Sequence, residues 1–273
     1  MPDHDGLPAD RVAEVAGLLE QRVAGYDADR DHRAVFAYLY LRLTKDLEAA
    51  LRTGRPAFDD PAFIAELSCR LATVYLRTME AVDAWLNSRG EGVRAAALKP
   101  GDLPDTISKP WRDVFAAASI RRSYVLEEVI FSMAAHMTYD LPLALQDMAR
   151  ASADGIHGHI GDYDRMNAVF GASLEEVQDH VASRYCQGLL FLEHLFTRDE
   201  RLLTESGIQA ARADAWFNFD RLTDKAATED AHLAIDQITA DLIKECRDPA
   251  DWKLRLTDRI LRRLVPARRQ WPH

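Results

Sequence analysis

The stretch Tyr124–Leu145, YVLEEVIFSMAAHMTYDLPLAL, constrains the fold of this chain more than any other part of it. It predicts one helix that is apolar on nearly every side, because apolar residues fill most positions between Val125 and Met137. A helix of this kind belongs in the interior of a fold, with other helices packed around it. We therefore expect the protein to be built around this central helix.

Polar residues interrupt the central helix at intervals of four: Tyr124, Glu128, Ser132, His136 and Asp140. Residues four apart lie on one face of a helix, so these side chains are predicted to form a single polar ladder. Burying an imidazole or a carboxyl group is costly unless it has a partner or lines a cavity. The ladder is therefore either a structural hydrogen-bonded seam or one wall of a pocket.

The rest of the chain also predicts helices, because apolar residues recur every three or four positions and no alternating strand pattern is found. The predicted helices cover about 10–25, 31–52, 60–86, 110–118, 141–153, 163–170, 173–196, 208–223, 229–246 and 251–264. Most connections between them are short. This pattern favours one all-α domain over residues 1–273, a multi-helix bundle around the buried central helix.

Several residues predict where helices begin or end. Gly54 is the expected stop of the second helix, and Asp60, which precedes a proline, is the expected N-cap of the third. Asp162 is the expected cap of a short helix over 163–170. Ser173 and Glu176 have the spacing of a capping box, which predicts that a new helix begins there.

Asp140 has a structural interpretation beside its place in the ladder. Pro142 cannot continue a helix without losing a hydrogen bond and clashing one turn back. The central helix is therefore predicted to end near Asp140, with the Asp140 carboxylate capping the next helix from Leu141. A helix start beside a cavity would also form an anion site.

The segment Asn87–Lys109 interrupts the helical pattern and is rich in glycine and proline. A poorly periodic segment of this length inside a helical protein is often a lid or a binding loop. It is equally well interpreted as a surface loop that wraps the bundle.

Charge argues against some classes of partner. The net charge of −10 disfavours nucleic acid as the main partner. From residue 251 onward, however, seven basic residues stand against two acidic ones. A basic C-terminal helix on an acidic body suggests docking within the chain or between subunits, so a homo-oligomer stays open. No run is long enough to span a membrane, no signal peptide is seen, and we expect a cytoplasmic protein with no membrane partner.

A second polar cluster follows the central helix: His157, His159, Asp162, Asp164 and Asn167. With His136 and Asp140 it contains enough imidazoles and carboxylates for a metal site. The spacings are weak signals, and the zinc motif H-E-x-x-H is absent. Phosphate-binding glycine loops and the serine-hydrolase elbow are absent too. We therefore expect neither a bound metal nor another cofactor.

The segments AHMTYDLPLAL (Ala135–Leu145), DYDRMNAVF (Asp162–Phe170) and AVFAYLYLRLT (Ala34–Thr44) resemble an uncharacterised family of unknown function common in actinobacteria. That family carries an A-H-I-N-x-D-L-P-L-A-L motif and a downstream D-[FY]-x-x-x-N motif. The resemblance implies an all-α fold, a tailoring role in secondary metabolism, and importance for four residues: His136, Asp140, Asp162 and Asn167. Thr138 stands where the family usually has asparagine.

The leading functional hypothesis is a small-molecule enzyme of secondary metabolism that needs no cofactor. Its pocket is expected between the central helix and residues 162–170. A mostly apolar wall with few polar groups suits acid–base chemistry on an apolar substrate, such as the cyclisation or dehydration carried out by a cyclase or lyase. Three residues are the predicted catalytic groups, and five are predicted to contact substrate: Glu128, His136 and Asp140, then Tyr124, Ser132, Tyr139, Asp164 and Asn167.

Two alternatives remain open. A metal-dependent hydrolase would use His136, Asp140 and the cluster at 157–167. A non-catalytic binding or scaffold protein would use the ladder as a structural seam.

Overall fold

The segments with apolar periodicity form helices in the computed structural model. The structure describes residues 6–88, 99–119, 125–185, 204–224, 226 and 228–264. These residues contain ten α-helices and no β-strand, so the all-α prediction is confirmed. The helices are α1 Pro8–Ala28, α2 Ala34–Thr53, α3 Pro61–Ser88, α4 Lys109–Ala118, α5 Val125–Ala135, α6 Leu141–Ala151, α7 Ile160–Tyr185, α8 Glu205–Thr223, α9 Thr228–Arg247 and α10 Trp252–Leu264.

Two predicted helix boundaries have the expected chemistry. Gly54 ends α2 in the left-handed conformation, with φ of 63°, which glycine adopts without steric cost. At the start of α3, the Asp60 carboxylate accepts hydrogen bonds of 3.0 Å from the backbone N–H groups of Ala62 and Phe63. Those amides have no partner inside the helix, and the cap supplies one.

The predicted start of an α-helix at Leu141 is confirmed, but the predicted break before it and the cap by the Asp140 carboxylate were wrong. Between α5 and α6 lies a π-helical turn, His136–Asp140, and the chain stays helical through it. Asp140 has helical dihedrals, φ −67° and ψ −41°, and its carboxylate does not cap α6. The wider turn accommodates Pro142, because Leu141 donates its backbone N–H to the His136 carbonyl five residues back.

The predicted helix start at Ser173 was wrong as well. Residues Ile160–Tyr185 form one helix, α7, and the Ser173 hydroxyl donates to the Val169 carbonyl one turn back at 3.0 Å. No proline lies between the two predicted helices, so the turn residues Gly171 and Ser173 did not break the helix. The predicted end of that helix near residue 196 lies outside the described residues.

The central helix is buried as expected. In α5 the side chains from Val129 to Ala135 are all buried, and Phe131, Ala134 and Ala135 have no exposed surface. Helices α2, α4 and α9 pack against α5, while α3, α8 and α9 contact the π turn that follows it. One hydrophobic core runs from α1 through α9.

The two ends of the interrupted segment 87–109 belong to regular structure. Residues 87 and 88 complete α3, and Pro100–Asp102 form a single 3-10 turn. Leu103 and Ile107 are buried in the core, so this part of the segment is anchored. The lid prediction falls mainly on residues 89–98, which lie outside the described residues.

The basic C-terminal helix docks inside the chain. Arg262 of α10 binds the buried Glu127 of α5 through both carboxylate oxygens, at 3.0 and 3.2 Å from Nε. The Arg262 Nη2 group also donates to the Arg247 carbonyl at 2.7 Å. Within the described residues, no helix combines the length and apolar character that crossing a membrane requires.

Candidate functional site

The candidate site is an apolar cavity between α2, α3, the central helix, α7 and α8. About 660 Å³ of empty space lies there, including the part that opens to solvent. Thirteen of its lining residues are apolar or aromatic: Phe36, Leu39, Tyr40, Leu43, Leu47, Leu67, Leu71, Met133, Met137, Leu141, Met166, Phe170 and Ile208. The four others are Thr44, Ser68, His136 and Arg212. We expected a pocket between the central helix and residues 162–170, and both segments line this cavity.

His136 is placed at the cavity by the π turn. Its Nδ1 atom lies 3.2 Å from Oδ2 of Asp140, one turn along the helix. Both side chains are buried, with 3% of His136 and none of Asp140 exposed. The ladder spacing therefore brought these two groups together, as predicted.

Asp140 has a second partner on another helix. The indole Nε1 of Trp111, at the start of α4, donates to the two carboxylate oxygens at 3.0 and 3.2 Å. Burial raises the pKa of Asp140, and the hydrogen bonds from His136 and Trp111 only partly offset that effect. Asp140 is thus a buried acid that holds its proton more tightly than an ordinary aspartate.

The other nitrogen of His136 is buried without a hydrogen-bond partner. No described residue bonds to Nε2, and the hydroxyl of Tyr40 is unpaired in the same way. The two rings meet edge to face, with centroids 4.6 Å apart, and both line the cavity. A buried polar atom without a partner costs stability, so two such atoms at one cavity suggest that a ligand supplies the missing bonds.

This arrangement suits proton transfer. The protonation state of Asp140 determines what Nε2 of His136 can do. With Asp140 ionised and Nδ1 protonated, Nε2 has a free lone pair and acts as a base. With one more proton on the pair, so that Asp140 is protonated and donates to Nδ1, Nε2 carries a hydrogen and acts as a donor.

The upper half of the ladder does not reach the cavity. Glu128 lies 3.8 Å from Nδ1 of His32, in the connection between α1 and α2, and both are buried. Ser132 lies one turn before His136, is 9% exposed, and is not among the lining residues. The π turn begins after Ala135. Among the polar ladder residues Glu128, Ser132 and His136, only His136 lines the cavity. Tyr124 lies outside the described residues.

Thr138 and Tyr139 lie on other sides of the π turn. The Thr138 hydroxyl is 2.8 Å from that of Thr239 on α9 and donates to the Ala134 carbonyl. Tyr139 is half-buried against the small cluster formed by Leu222, Ala231 and Ile235. Burial raises the pKa of Tyr139 to about 12, so its hydroxyl stays protonated.

Asp162 is a structural clamp. It is 2% exposed, and its carboxylate accepts the backbone N–H groups of Asp59 at 2.8 Å and Asp60 at 2.6 Å. Arg165 adds a 2.6 Å contact. Asp162 therefore holds the turn before α3 instead of capping its own helix, while Asp164 is exposed.

The histidines of the second cluster are engaged separately. His157 Nε2 lies 2.7 Å from the exposed Asp220, and His159 stacks on Phe63 with ring centroids 4.4 Å apart. Neither lines the cavity that contains His136. Among the described residues, no group of three or more potential metal ligands is found. The described part of the chain therefore does not bring together the residues predicted as metal ligands.

Asn167 contributes to the cavity through Arg212, which sequence reasoning missed. The Asn167 carbonyl oxygen accepts from Arg212 Nε at 2.8 Å, and Arg212 is a lining residue. A signal was available, because Arg212 interrupts an apolar stripe on α8 that includes Ile208, Ala215 and Phe219.

The comparisons with known proteins identify a family without adding a reaction. A search of curated proteins gave no match, and a search of solved structures gave none either. The model of a family of unknown function, DUF5995, matches residues 12–249, which include every helix of the cavity. The chain belongs to this family of unknown function.

Proposed function

We propose that this protein is a small-molecule enzyme that carries out acid–base chemistry on an apolar substrate without a cofactor. The observation that carries the proposal is the His136–Asp140 pair at the apolar cavity, with Nε2 of His136 buried and unpaired. A paired but half-satisfied imidazole at a cavity is the usual arrangement of a general base.

The geometry supports the following roles for the side chains of the site. His136 removes a proton from the substrate through Nε2, and Asp140 stabilises the imidazolium through Nδ1. Trp111 holds the Asp140 carboxylate in place from α4. The unpaired Tyr40 hydroxyl is a donor for an oxygen of the substrate.

The apolar wall with one acid–base pair supports a reaction that depends on proton transfer. In a cyclisation or dehydration, His136 would take a proton from one substrate atom and return it to another, such as the oxygen that leaves as water. This is the chemistry of a cyclase or a lyase. The apolar wall would exclude water and protect a reactive intermediate. We further propose a cytoplasmic role in secondary metabolism. Glu128, whose carboxylate lies 3.8 Å from His32 and away from the cavity, has no proton-transfer role in this scheme.

An untargeted assay tests the proposal without a known substrate. Purified protein is incubated with a bacterial small-molecule extract, and mass spectrometry compares wild type with His136→Gln. We expect certain masses to be consumed and others to appear with wild type only. The control is Ser132→Ala, a change one turn away outside the cavity, which should behave like wild type.

The same experiment addresses a second candidate function, a non-catalytic binding protein. The apolar cavity alone would support such a role. Native mass spectrometry would then find a molecule retained unchanged by both wild type and His136→Gln. That result, without any consumed mass, would contradict the enzyme proposal.

A further inference from the structure

Among the described residues that line the cavity, Arg212 is the one cationic side chain, and it is almost completely buried. Only 3% of its surface is exposed. It lies on α8 with its guanidinium over the ring of Tyr163, 3.9 Å from the ring centroid. A buried cation is costly unless its charge is compensated.

The hydrogen bonds of Arg212 go to neutral groups. Nε donates to the side-chain oxygen of Asn167 at 2.8 Å, and Nη2 donates to the backbone carbonyl of Tyr163 at 2.5 Å. The Tyr163 hydroxyl in turn donates to the Arg212 carbonyl at 2.7 Å. These contacts use two of the five N–H donors of a guanidinium and fix its position.

The described residues offer Arg212 no acidic partner. No described carboxylate lies within ion-pair distance of it, although most other buried or half-buried arginines here have one, such as Arg33 with Asp31 at 2.7 Å. The exposed Asp164 attracts the guanidinium electrostatically, but it lies beyond ion-pair distance. A rigidly held, desolvated guanidinium is the group that proteins use to bind carboxylates and phosphates.

We propose that Arg212 is the anion-binding residue of the cavity and that its ligand is an apolar molecule carrying one carboxylate. The carboxylate would accept hydrogen bonds from the free edge of the guanidinium. The apolar body would fill the space among leucine and methionine side chains of α2, α3 and the central helix. Asn167 is then a positioning residue, which gives the second cluster a role at the site.

This inference rests on the proposed function only in placing the ligand in the same cavity as His136. It concerns binding, whereas the proposed function concerns proton transfer. The wall of the cavity is almost wholly apolar, and Arg212 is its cationic group. An apolar molecule with one carboxylate therefore matches both the lining and the charge of the site.

Titration calorimetry on the full chain tests the proposal with matched pairs of probes. The acids are decanoate and 4-phenylbutyrate, and the neutral partners are 1-decanol and 4-phenylbutanol. Wild type should bind at least one acid tenfold or more tightly than its alcohol. Equal affinities, a preference for the alcohols, or no binding of any probe would overturn the proposal.

Two variants test whether Arg212 causes the preference for acids over alcohols. Arg212→Met keeps the length of the side chain and removes the charge, so it should abolish the preference for acids while the alcohols still bind. Arg221→Met makes the same change on the same helix outside the cavity and should leave the preference intact. An unchanged preference in Arg212→Met would contradict the assignment.

The two proposals fail separately. His136→Gln should retain the preference for acids, since His136 is not the anion-binding group. If Arg212→Met does not fold, the comparison of acids with alcohols in wild type and in Asn167→Leu still tests the proposal. Asn167→Leu should weaken acid binding severalfold and leave alcohol binding unchanged. If it leaves acid binding unchanged as well, the positioning role is contradicted.

Discussion

The indole N–H of Trp111 and the carboxylate of Asp140 join two helices at the centre of the protein, 3.0 Å apart. Both side chains are essentially buried, and Nδ1 of His136 contacts Oδ2 of the same carboxylate at 3.2 Å. The Asp140 carboxylate therefore makes two contacts: a structural one to Trp111 and one to the candidate catalytic residue His136. Substitutions at this position should affect stability and function in separable ways.

Asp140→Asn should change the pH dependence of stability. Burial raises the folded-state pKa of Asp140 above its ordinary value of 3.8. Between these two pKa values the folded protein binds more protons than the unfolded chain, so this group's contribution to stability falls as pH rises through the window. Asparagine does not titrate. The free energy of unfolding of wild type relative to Asp140→Asn should therefore decrease as pH rises above 3.8.

Denaturant unfolding at a series of pH values measures this difference. Asp147→Asn on α6 is the control, because that side chain is 60% exposed. Its difference from wild type should stay nearly constant. A wild type that gains stability over Asp140→Asn with rising pH would contradict the prediction.

Asp162→Ala should have the opposite pH dependence. Burial by itself would raise the pKa of Asp162. The hydrogen bonds from the amides of Asp59 and Asp60 and the charge of Arg165 have the larger effect, so the pKa lies below its ordinary value of 3.8. Its stabilising effect is thus present above pH 3.8 and lost as pH falls through the folded-state pKa. At pH 7 the substitution should cost about 1–3 kcal/mol, because two partly buried amides lose their charged acceptor.

Asp164→Ala is the matched control for Asp162, since it removes an exposed carboxylate from the same helix. It should change the free energy of unfolding by less than about 0.5 kcal/mol. Both substitutions are measured by chemical denaturation at pH 7. Equal effects would contradict the stabilising role of the Asp162 hydrogen bonds to the turn before α3.

The hydroxyl contact between Thr138 and Thr239 should appear as an energetic coupling. Thr138→Val removes one partner of a buried bond of 2.8 Å and should cost about 1 kcal/mol. The double variant with Thr239→Val replaces both partners by apolar groups of the same shape, so its cost should be less than the sum. A double-mutant cycle that yields additive effects would show that the contact contributes nothing.

Arg262→Met should loosen the docking of α10. The change removes the charge-assisted bonds to the buried Glu127 and should cost about 1–3 kcal/mol. Hydrogen exchange of the α10 amides should accelerate more than that of α5. Arg263→Met, on the exposed side of α10, is the control and should exchange like wild type.

His136→Gln should separate catalysis from folding once a substrate is known. Loss of a general base should lower turnover by roughly 10²–10⁴-fold. Thermal melting on the same sample should fall by no more than the loss of one buried hydrogen bond, because among the described residues only Nδ1 has a partner, Asp140. A large drop in melting temperature with unchanged turnover would mean that the pair is a structural seam.

Local sequence patterns determined the helices and one residue pair of the site. Apolar spacing and the terminal residues Gly54 and Asp60 depend only on neighbours along the chain, and so does the four-residue interval that joins His136 to Asp140. Pro142 was misread as a helix end because a π turn and an N-cap satisfy the same local constraint, and packing decided between them.

The tertiary structure alone decided which polar residues share a cavity. Asp162 and Asn167 lie five residues apart on α7, yet one clamps the turn before α3 and the other holds Arg212. Asp162 bonds to Asp59, 103 residues away, and Asn167 bonds to Arg212, 45 residues away. The spacing of residues along a helix carries no information about contacts at such separations. The same holds for Trp111, whose indole reaches Asp140 only because α4 packs against α5. Hydrogen bonding and burial are properties of the assembled core, so the sequence determined the helices and the fold determined the site.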